Sequence, residues 1–397
     1  MKNAPNNLEK NIHIKLPPSL REGFGAEQIN TAFTRLLMEW QQHNSRQLPW
    51  KNEPDAYKIW LSEIILQQTR VEQGLPYYLR FVAAYPTVSD LANAPQEAVM
   101  RLWEGLGYYS RARNMHHTAQ YIAHELNGVF PRTYQELSKL KGVGAYTAAA
   151  IASFAYGLPY AVVDGNVYRV LARFFGIDTP IDSVQGKKQF AALAQELLYA
   201  PNPAAFNQAI MDFGSVQCKP AKPLCHTCPM NHLCAAAQQN QITELPVKAK
   251  KLQRKTRYFN YLVLTAANTG NLLLRKRTHK DIWQHLYEPY LIETPNQLLA
   301  IEQLQTLPTL GLIPPKLGAS ITTPHLISPV FKQQLTHQTI VARFVELQVT
   351  NLETWLNHDF EQALPTHLSH FAFPKIINSY WQSRQENAGK GKQGALL

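Results

Sequence analysis

Cysteine is nearly missing from this chain, and acidic residues are too few to balance the basic ones. Among 397 residues only four cysteines occur, all between Cys218 and Cys234, which excludes a disulfide framework spread over the fold. No apolar run reaches the roughly 18 residues of a membrane span, so none is expected. Met1 to Lys15 is polar and lacks the apolar stretch of a secretory signal, so a cytoplasmic protein is expected, at the nucleoid if the source is bacterial. Collagen-like, heptad and longer internal repeats are absent as well. What is present is the material of a large globular chain, with 45% hydrophobic and 10% aromatic residues and length for two or three domains. Thirty-nine Lys and Arg against 28 Asp and Glu leave a net charge of +11, a surplus suited to a polyanionic partner.

Residues 1–25 are polar and contain Pro17 and Pro18, which predicts a flexible N-terminal arm. From 26 to 239, apolar residues recur at helical steps of three and four, broken by Pro and Gly. An all-α domain is expected there, with clear helices at Tyr57–Gln73, Glu97–Trp103, Ala112–Leu126 and Lys188–Leu198. Lys248, Lys250, Lys251, Arg254, Lys255 and Arg257 mark 240–257 as a basic linker. Beyond it the period falls to two. Tyr258–Ala266 and Asn271–Arg277 flank the turn-rich Ala267-Asn268-Thr269-Gly270 as a hairpin, and Thr339–Val349 alternates in the same way. With a helix over Lys375–Gln382, residues 258–384 are expected to be α+β, and 385–397, rich in Gly, Lys and Gln, to be disordered.

The four cysteines follow C-x6-C-x2-C-x5-C. Soft thiolates on one short stretch suit zinc or an iron–sulfur cluster. Structural zinc sites use two close pairs, and here only Cys225 and Cys228 form one. The uneven spacing therefore favours a single 4Fe–4S cluster held by Cys218, Cys225, Cys228 and Cys234, with the interleaved His226 and His232 not needed to complete the set. A second motif begins at Thr133-Tyr134-Gln135-Glu136, a capping box that should open a short helix to Leu140. Lys141-Gly142-Val143-Gly144 follows, and then a helical run Ala145–Tyr156 ending at Gly157. Gly142 and Gly144 permit a tight hairpin whose second helix would offer free N–H groups to a DNA phosphate. An ordinary helical turn is the competing reading of a lone G-x-G.

Leu137–Ile151 with the cysteine quartet downstream resembles the helix-hairpin-helix DNA glycosylases that carry a 4Fe–4S cluster, over roughly residues 30–240. Bifunctional members place a nucleophilic lysine in the second hairpin helix. Tyr146 stands there in this chain, and a phenol cannot form an imine. The resemblance thus implies a monofunctional enzyme that removes a base and leaves the strand intact. Leu61-Ser62-Glu63-Ile64-Ile65-Leu66-Gln67-Gln68-Thr69 is similar to the S-E-x-x-L-Q-Q-T motif of the adenine DNA glycosylases. The apolar stripe Leu61, Ile64, Ile65 would bury Glu63 and raise its pKa, as a general acid requires. In the family this carboxyl protonates flipped adenine at N7, and Leu66, Gln68, Thr69 and Arg70 are then expected at or in the duplex. Val162-Val163-Asp164-Gly165-Asn166-Val167, a turn by composition, resembles the family's V-D-x-N-V. That likeness implies that Asp164 steadies an oxocarbenium-like sugar, with Asn166 in support and Tyr146 lining the site.

Shorter likenesses add recognition residues. Gly105-Leu106-Gly107-Tyr108-Tyr109-Ser110-Arg111 matches the family's G-L-G-Y-Y-x-R and implies that Tyr108 wedges beside the damaged guanine. Leu48-Pro49-Trp50 resembles the wall of an adenine pocket, with Gln208 as an edge-reading amide. Lys219 and Lys222 lie in the cysteine loop, where a lysine either meets phosphate or is simply solvated. About 140 residues follow the linker, as in adenine glycosylases and unlike endonuclease III-type enzymes. Leu272–Arg277, Trp283 and Leu286-Tyr287-Glu288-Pro289 resemble a Nudix-like domain that reads 8-oxoguanine, without the Glu-rich magnesium helix of a working Nudix hydrolase. Leu335-Thr336-His337 corresponds to the family's Phe-Ser-His loop, with Thr336 keeping the hydroxyl and Leu335 replacing the aromatic ring. Taken together, the resemblance implies a monomeric glycosylase that excises adenine opposite 8-oxoguanine or guanine in double-stranded DNA. A glycosylase for mismatched thymine and a non-catalytic iron–sulfur DNA-binding protein are the alternatives.

Overall fold

The computed structural model describes residues 25–249, 254–307 and 310–393; apart from Gly25, the expected arm lies outside the described residues. The chain forms two compact units. One takes residues up to Arg70, Tyr85–Ser89 and Thr118–Lys251; the other takes Val71–Ala84, Asp90–His117 and the residues from Leu252 onward. The passage from Lys251 to Leu252 falls inside the expected linker, but two stretches of the expected helical domain belong to the second unit.

The helices are α1 (Ala26–Asn44), α2 (Ala56–Leu66), α3 (Val71–Ala84), α4 (Val88–Asn93), α5 (Gln96–Leu102), α6 (Ser110–Glu125), α7 (Tyr134–Leu137), α8 (Ala145–Tyr156), α9 (Gly165–Phe175), α10 (Val184–Leu197), α11 (Pro203–Val216) and α12 (Ala235–Gln238). Their starts follow capping chemistry. Asp55 accepts from the Tyr57 amide, Ser183 from that of Gly186, and Asn202 from that of Ala205, with Pro203 at the first helical position. The run expected as one helix over Tyr57–Gln73 is two, because the backbone leaves the helix at Gln67 and Gln68 adopts a left-handed φ of +55°. Phe33, Leu37, Val170, Phe174, Phe175, Phe190, Phe206 and Phe213 form the main core of the first unit, with Cys218, Cys228 and Cys234 packed against it.

The second unit carries a mixed eight-stranded sheet of β1 (Lys255–Ala266), β2 (Leu272–Lys276), β3 (Tyr287–Glu288), β4 (Tyr290–Thr294), β5 (Leu326–Ile327), β6 (Phe331–Gln334), β7 (Gln338–Val349) and β8 (Phe360–Ala363). The expected hairpin is present, with Leu264 opposite Leu273. β7 lies parallel to β1 from the Lys255–Gln338 pair to the Ala266–Val349 pair, a long-range pairing that no local turn specifies. Leu262, Leu264, Val345, Leu347, Trp355 and Phe360 fill its core, and short helices α13 (Ile301–Gln305), α14 (Pro315–Gly318) and α15 (Leu352–Leu356) complete an α+β unit. The last helix, α16, runs over Lys375–Gln393 and so covers residues whose composition predicts disorder. Buried Glu346 anchors it, accepting from Arg384 Nε and Nη2 at 2.9 Å and from the Tyr380 hydroxyl at 2.5 Å. Among the described residues no helix is long and apolar enough to cross a membrane.

Candidate active site

α2, α8, α9 and α11 bring the motif residues of the first unit together. Glu63 sits in the middle of α2 and is 8% exposed. Burial pushes its carboxyl up to about 7; the charge of Asp164 adds to the rise, and a hydrogen bond with Tyr146 opposes it. Tyr146, in the first turn of α8, is coupled to both acids, and burial drives its phenol well above its ordinary value. Two carboxyls far apart in the sequence are thus within electrostatic reach of one phenol. Gln67 Nε2 donates to Thr147 Oγ1 at 3.1 Å, tying the end of α2 to α8.

Asp164 is the N-cap of α9. Its Oδ1 accepts from the Asn166 and Val167 amides, both at 2.8 Å, and its Oδ2 accepts from Asn166 Nδ2 at 2.7 Å. Burial raises its pKa, while these donors and the Arg169 charge pull it back towards the anion, as does the positive end of the helix. Asn166 is held in turn. Arg169 Nη2 donates to Asn166 Oδ1 at 2.8 Å and to the Gly214 carbonyl at 2.6 Å, and its Nε donates to the Cys218 carbonyl at 2.8 Å. Gly214 is needed for this approach, since a Cβ there would lie 2.6 Å from Asn166 Cβ.

α11 also holds the segment that delivers Asp164. Buried Asn207 accepts from the Val162 amide at 3.0 Å and donates to Ser153 Oγ and the Tyr160 carbonyl at 2.9 and 2.8 Å. One turn further along α11, Met211 Sδ lies 3.8 Å from the Tyr146 hydroxyl. Asp212 pairs with Lys51 Nζ at 2.5 Å, with side chains 4% and 7% exposed. Burial lowers the Lys51 pKa, and Asp212 counters that effect. Lys51 follows the half-buried Leu48 and Trp50, and Gln208 Nε2 donates to Asp212 Oδ1 at 3.3 Å.

Sequence reading passed over Asn207, Arg169, Gly214, Lys51 and Asp212. Asp212 carries the signal that singled out Glu63, a carboxylate inside the apolar run Ile210-Met211-Asp212-Phe213. Asn207 and Arg169 show no such sign, because most of their partners lie 45 or more residues away in the chain.

The hairpin has the expected capping box. Thr133 Oγ1 accepts from the Glu136 amide at 3.2 Å. α7 stops at Leu137 rather than Leu140, and three-residue turns carry the chain from there to Val143. Gly142 has φ +82°, while Gly144 has an ordinary φ of −85° and no atom within 4 Å of where a Cβ would stand. Neither packing nor φ therefore demands glycine at 144, and open space lies before the first amides of α8. Next to Glu63 in the chain, Leu66 and Thr69 are half-buried, and Gln68 and Arg70 are exposed.

The four cysteines line one cavity with Arg173, Gln217 and Leu224. Arg173 Nη1 approaches Cys218 Sγ at 3.4 Å and donates to the Lys219 carbonyl at 2.8 Å. Burial pushes the Cys228 thiol up to about 12 and the Cys234 thiol to about 11. Among the described residues no three His, Cys, Asp or Glu side chains stand at the spacing of a single metal ion. Lys219 is half-buried, and Lys222, His226 and His232 are exposed.

In the second unit Tyr108 has φ +46° after Gly107 at +71°, and it is 41% exposed. Its hydroxyl meets that of Thr336, in the turn between β6 and β7. Leu335 N donates to the Gln338 carbonyl at 2.7 Å to close that turn, and His337 is exposed.

The capped helices, the glycine hairpin and the buried carboxyls on α2 and at the start of α9 define a helix-hairpin-helix base-excision glycosylase. The family model for the HhH-GPD superfamily of base excision DNA repair proteins matches residues 61–198. A thermostable thymine-DNA glycosylase structure superposes with TM-score 0.50 at 28% identity, covering 54% of this chain and 98% of that one. The adenine DNA glycosylase of Buchnera aphidicola subsp. Baizongia pistaciae is 36% identical over 258 residues, 64% of this chain and 72% of that protein. The human adenine DNA glycosylase is 43% identical over 224 residues, 54% of this chain and 41% of that protein. The chain belongs to the adenine DNA glycosylase family, and it is a DNA glycosylase, a hydrolase of N-glycosyl bonds.

Proposed function

We propose that this enzyme excises adenine opposite 8-oxoguanine or guanine in duplex DNA and leaves the strand uncut. The observation that carries this reading is that buried Glu63 and Asp164 both lie within electrostatic reach of Tyr146. Of two such carboxyls, the one whose anion is less supported keeps the proton. Asp164 has three hydrogen-bond donors and a helix N-terminus, whereas Glu63 is buried in an apolar helix, so Glu63 holds the proton and Asp164 the charge. Glu63 protonates N7 of the flipped adenine, and the neutral base departs with the electrons of the glycosidic bond. Asp164 stabilises the oxocarbenium-like sugar until water adds, with Asn166 holding its carboxylate and Tyr146 between the two acids. With a phenol at 146 no imine forms, and the product is an abasic site.

Leu48, Trp50 and Gln208 enclose the base. The amides behind Gly142 and Gly144 hold a phosphate, while Leu66 and Gln68 fill the gap left by adenine and Thr69 and Arg70 contact the DNA beside them. Tyr108 wedges beside the opposite base, and Thr336 and His337 read it from the sheet unit. That unit is Nudix-like, and its recognition role requires no pyrophosphatase chemistry. Cys218, Cys225, Cys228 and Cys234 would hold one 4Fe–4S cluster, a structural brace for the segment 218–234. Four thiols around one cavity, with a buried guanidinium beside Cys218, suit an anionic iron–sulfur group. The enzyme acts as a monomer.

Single-turnover incubation with a duplex containing adenine opposite 8-oxoguanine tests this. Free adenine and a strand that breaks only after alkali are expected. Release of thymine from a mismatch, with adenine untouched, would replace the reading with that of a pyrimidine glycosylase.

A further inference from the structure

Asp212 stands one turn beyond Gln208 on α11, outside the acid pair. Its buried carboxylate accepts from Lys51 Nζ at 2.5 Å, Gln41 Nε2 at 3.2 Å and Gln208 Nε2 at 3.3 Å. We propose that Asp212 is a specificity-determining positioning residue, fixing the orientation of the Gln208 amide so that the pocket accepts a 6-aminopurine and refuses a 6-oxopurine.

The argument is one of donors and acceptors. An ionised carboxylate only accepts, so Gln208 turns its NH2 group towards Asp212; the reversed amide would set oxygen against oxygen. Lys51 Nζ donates to Asp212 Oδ2 from the other side, and a carboxylate paired with an ammonium is acceptor-only. Gln208 then offers the pocket its carbonyl Oε1 beside its second N–H. Adenine presents the complementary edge, an N6 amino donor next to the N1 acceptor. Hypoxanthine presents the opposite order, an O6 acceptor next to N1–H, and could pair only with a reversed amide. A free glutamine would turn to suit either base. A glutamine pinned by a buried charge reads one of them. The inference rests on the reading of Gln208 as the residue at the adenine edge.

The test is single-turnover base release by the full chain from duplexes carrying adenine or hypoxanthine opposite 8-oxoguanine. In Asp212→Asn the adenine-to-hypoxanthine rate ratio is expected to fall about tenfold or more. Asp212→Asn leaves Lys51 buried without its charge partner and endangers folding. The double variant Lys51→Met/Asp212→Leu removes both charges and should show the same loss of ratio. If both variants slow the two bases by a common factor and the ratio stays at the wild-type value, Asp212 is merely structural and the inference is overturned. Gln208→Met separates the two levels. It should also collapse the ratio, and a wild-type ratio there would show that Gln208 does not read the base at all.

Discussion

Asp164 and Thr336 occupy opposite kinds of surroundings. Asp164 caps α9, takes three hydrogen bonds, and rests on an asparagine that Arg169 and Gly214 hold in turn. Thr336 sits in a turn closed by the Leu335–Gln338 bond, at the margin of the sheet, with its hydroxyl against Tyr108. A carboxylate that must stay charged in a poorly solvated place needs every donor fixed in advance, because reorganising them during the reaction would forfeit their effect. A hydroxyl with the proposed task of inspecting a base needs only to be reachable. On the proposed reading the interior site is sensitive to small displacements, whereas the loop tolerates exchange.

The sharpest way to break this contrast is at Glu63. Glu63→Gln should cut the single-turnover rate by about 10²–10⁴-fold, the usual worth of a general acid. In the wild type the rate should fall as pH rises through about 7, where the buried carboxyl loses its proton. Stability carries the same sign. The folded Glu63 binds its proton up to about pH 7 and the unfolded one only to its ordinary 4.5, so the wild type loses stability between those values as pH rises. Urea unfolding at pH 8 should show Glu63→Gln gaining up to about 3 kcal/mol, and at pH 4 almost nothing. An unchanged pH profile would remove Glu63 from the acid role.

Asp164→Asn comes next, with a loss of about 10²–10³-fold in the chemical step and little change in duplex affinity measured by gel shift. Loss of affinity in step with rate would mean that the residue serves binding. Gly214→Ala tests whether the support of Asn166 matters. The added methyl must displace Asn166, which should cost about 1–3 kcal/mol in urea unfolding and slow excision. Full activity in Gly214→Ala would show the interior site to be as forgiving as the loop. The smallest effect belongs to Thr336→Val, about two- to tenfold on duplexes with 8-oxoguanine and none with guanine, the range of one hydrogen bond.

Much of the site was legible because its signals are local. A capping box, two glycines before a small-residue helix, an acid inside an apolar stripe and four cysteines in seventeen positions each act over one or two turns of chain. Alternation likewise marked the hairpin of β1 and β2. Helix ends were less legible. Leu140 stayed outside α7 and the residues beyond Gln382 stayed inside α16, because an anchoring ion pair at Glu346 outweighs a composition poor in apolar residues.

From the sequence alone came the candidates, residues whose chemistry suits a proton, a charge, a phosphate or a metal, and most of the segments that are helical or extended. Tertiary structure alone decided their company. It set Glu63 and Asp164 around Tyr146, gave α11 the task of holding both Asp164 and Gln208, paired β1 with β7, and placed Thr336 against Tyr108. The reason is one of range. Caps and periodicity are settled by neighbours a few residues away, whereas the meeting of distant groups is settled by which apolar faces can be buried together, a property of the whole chain.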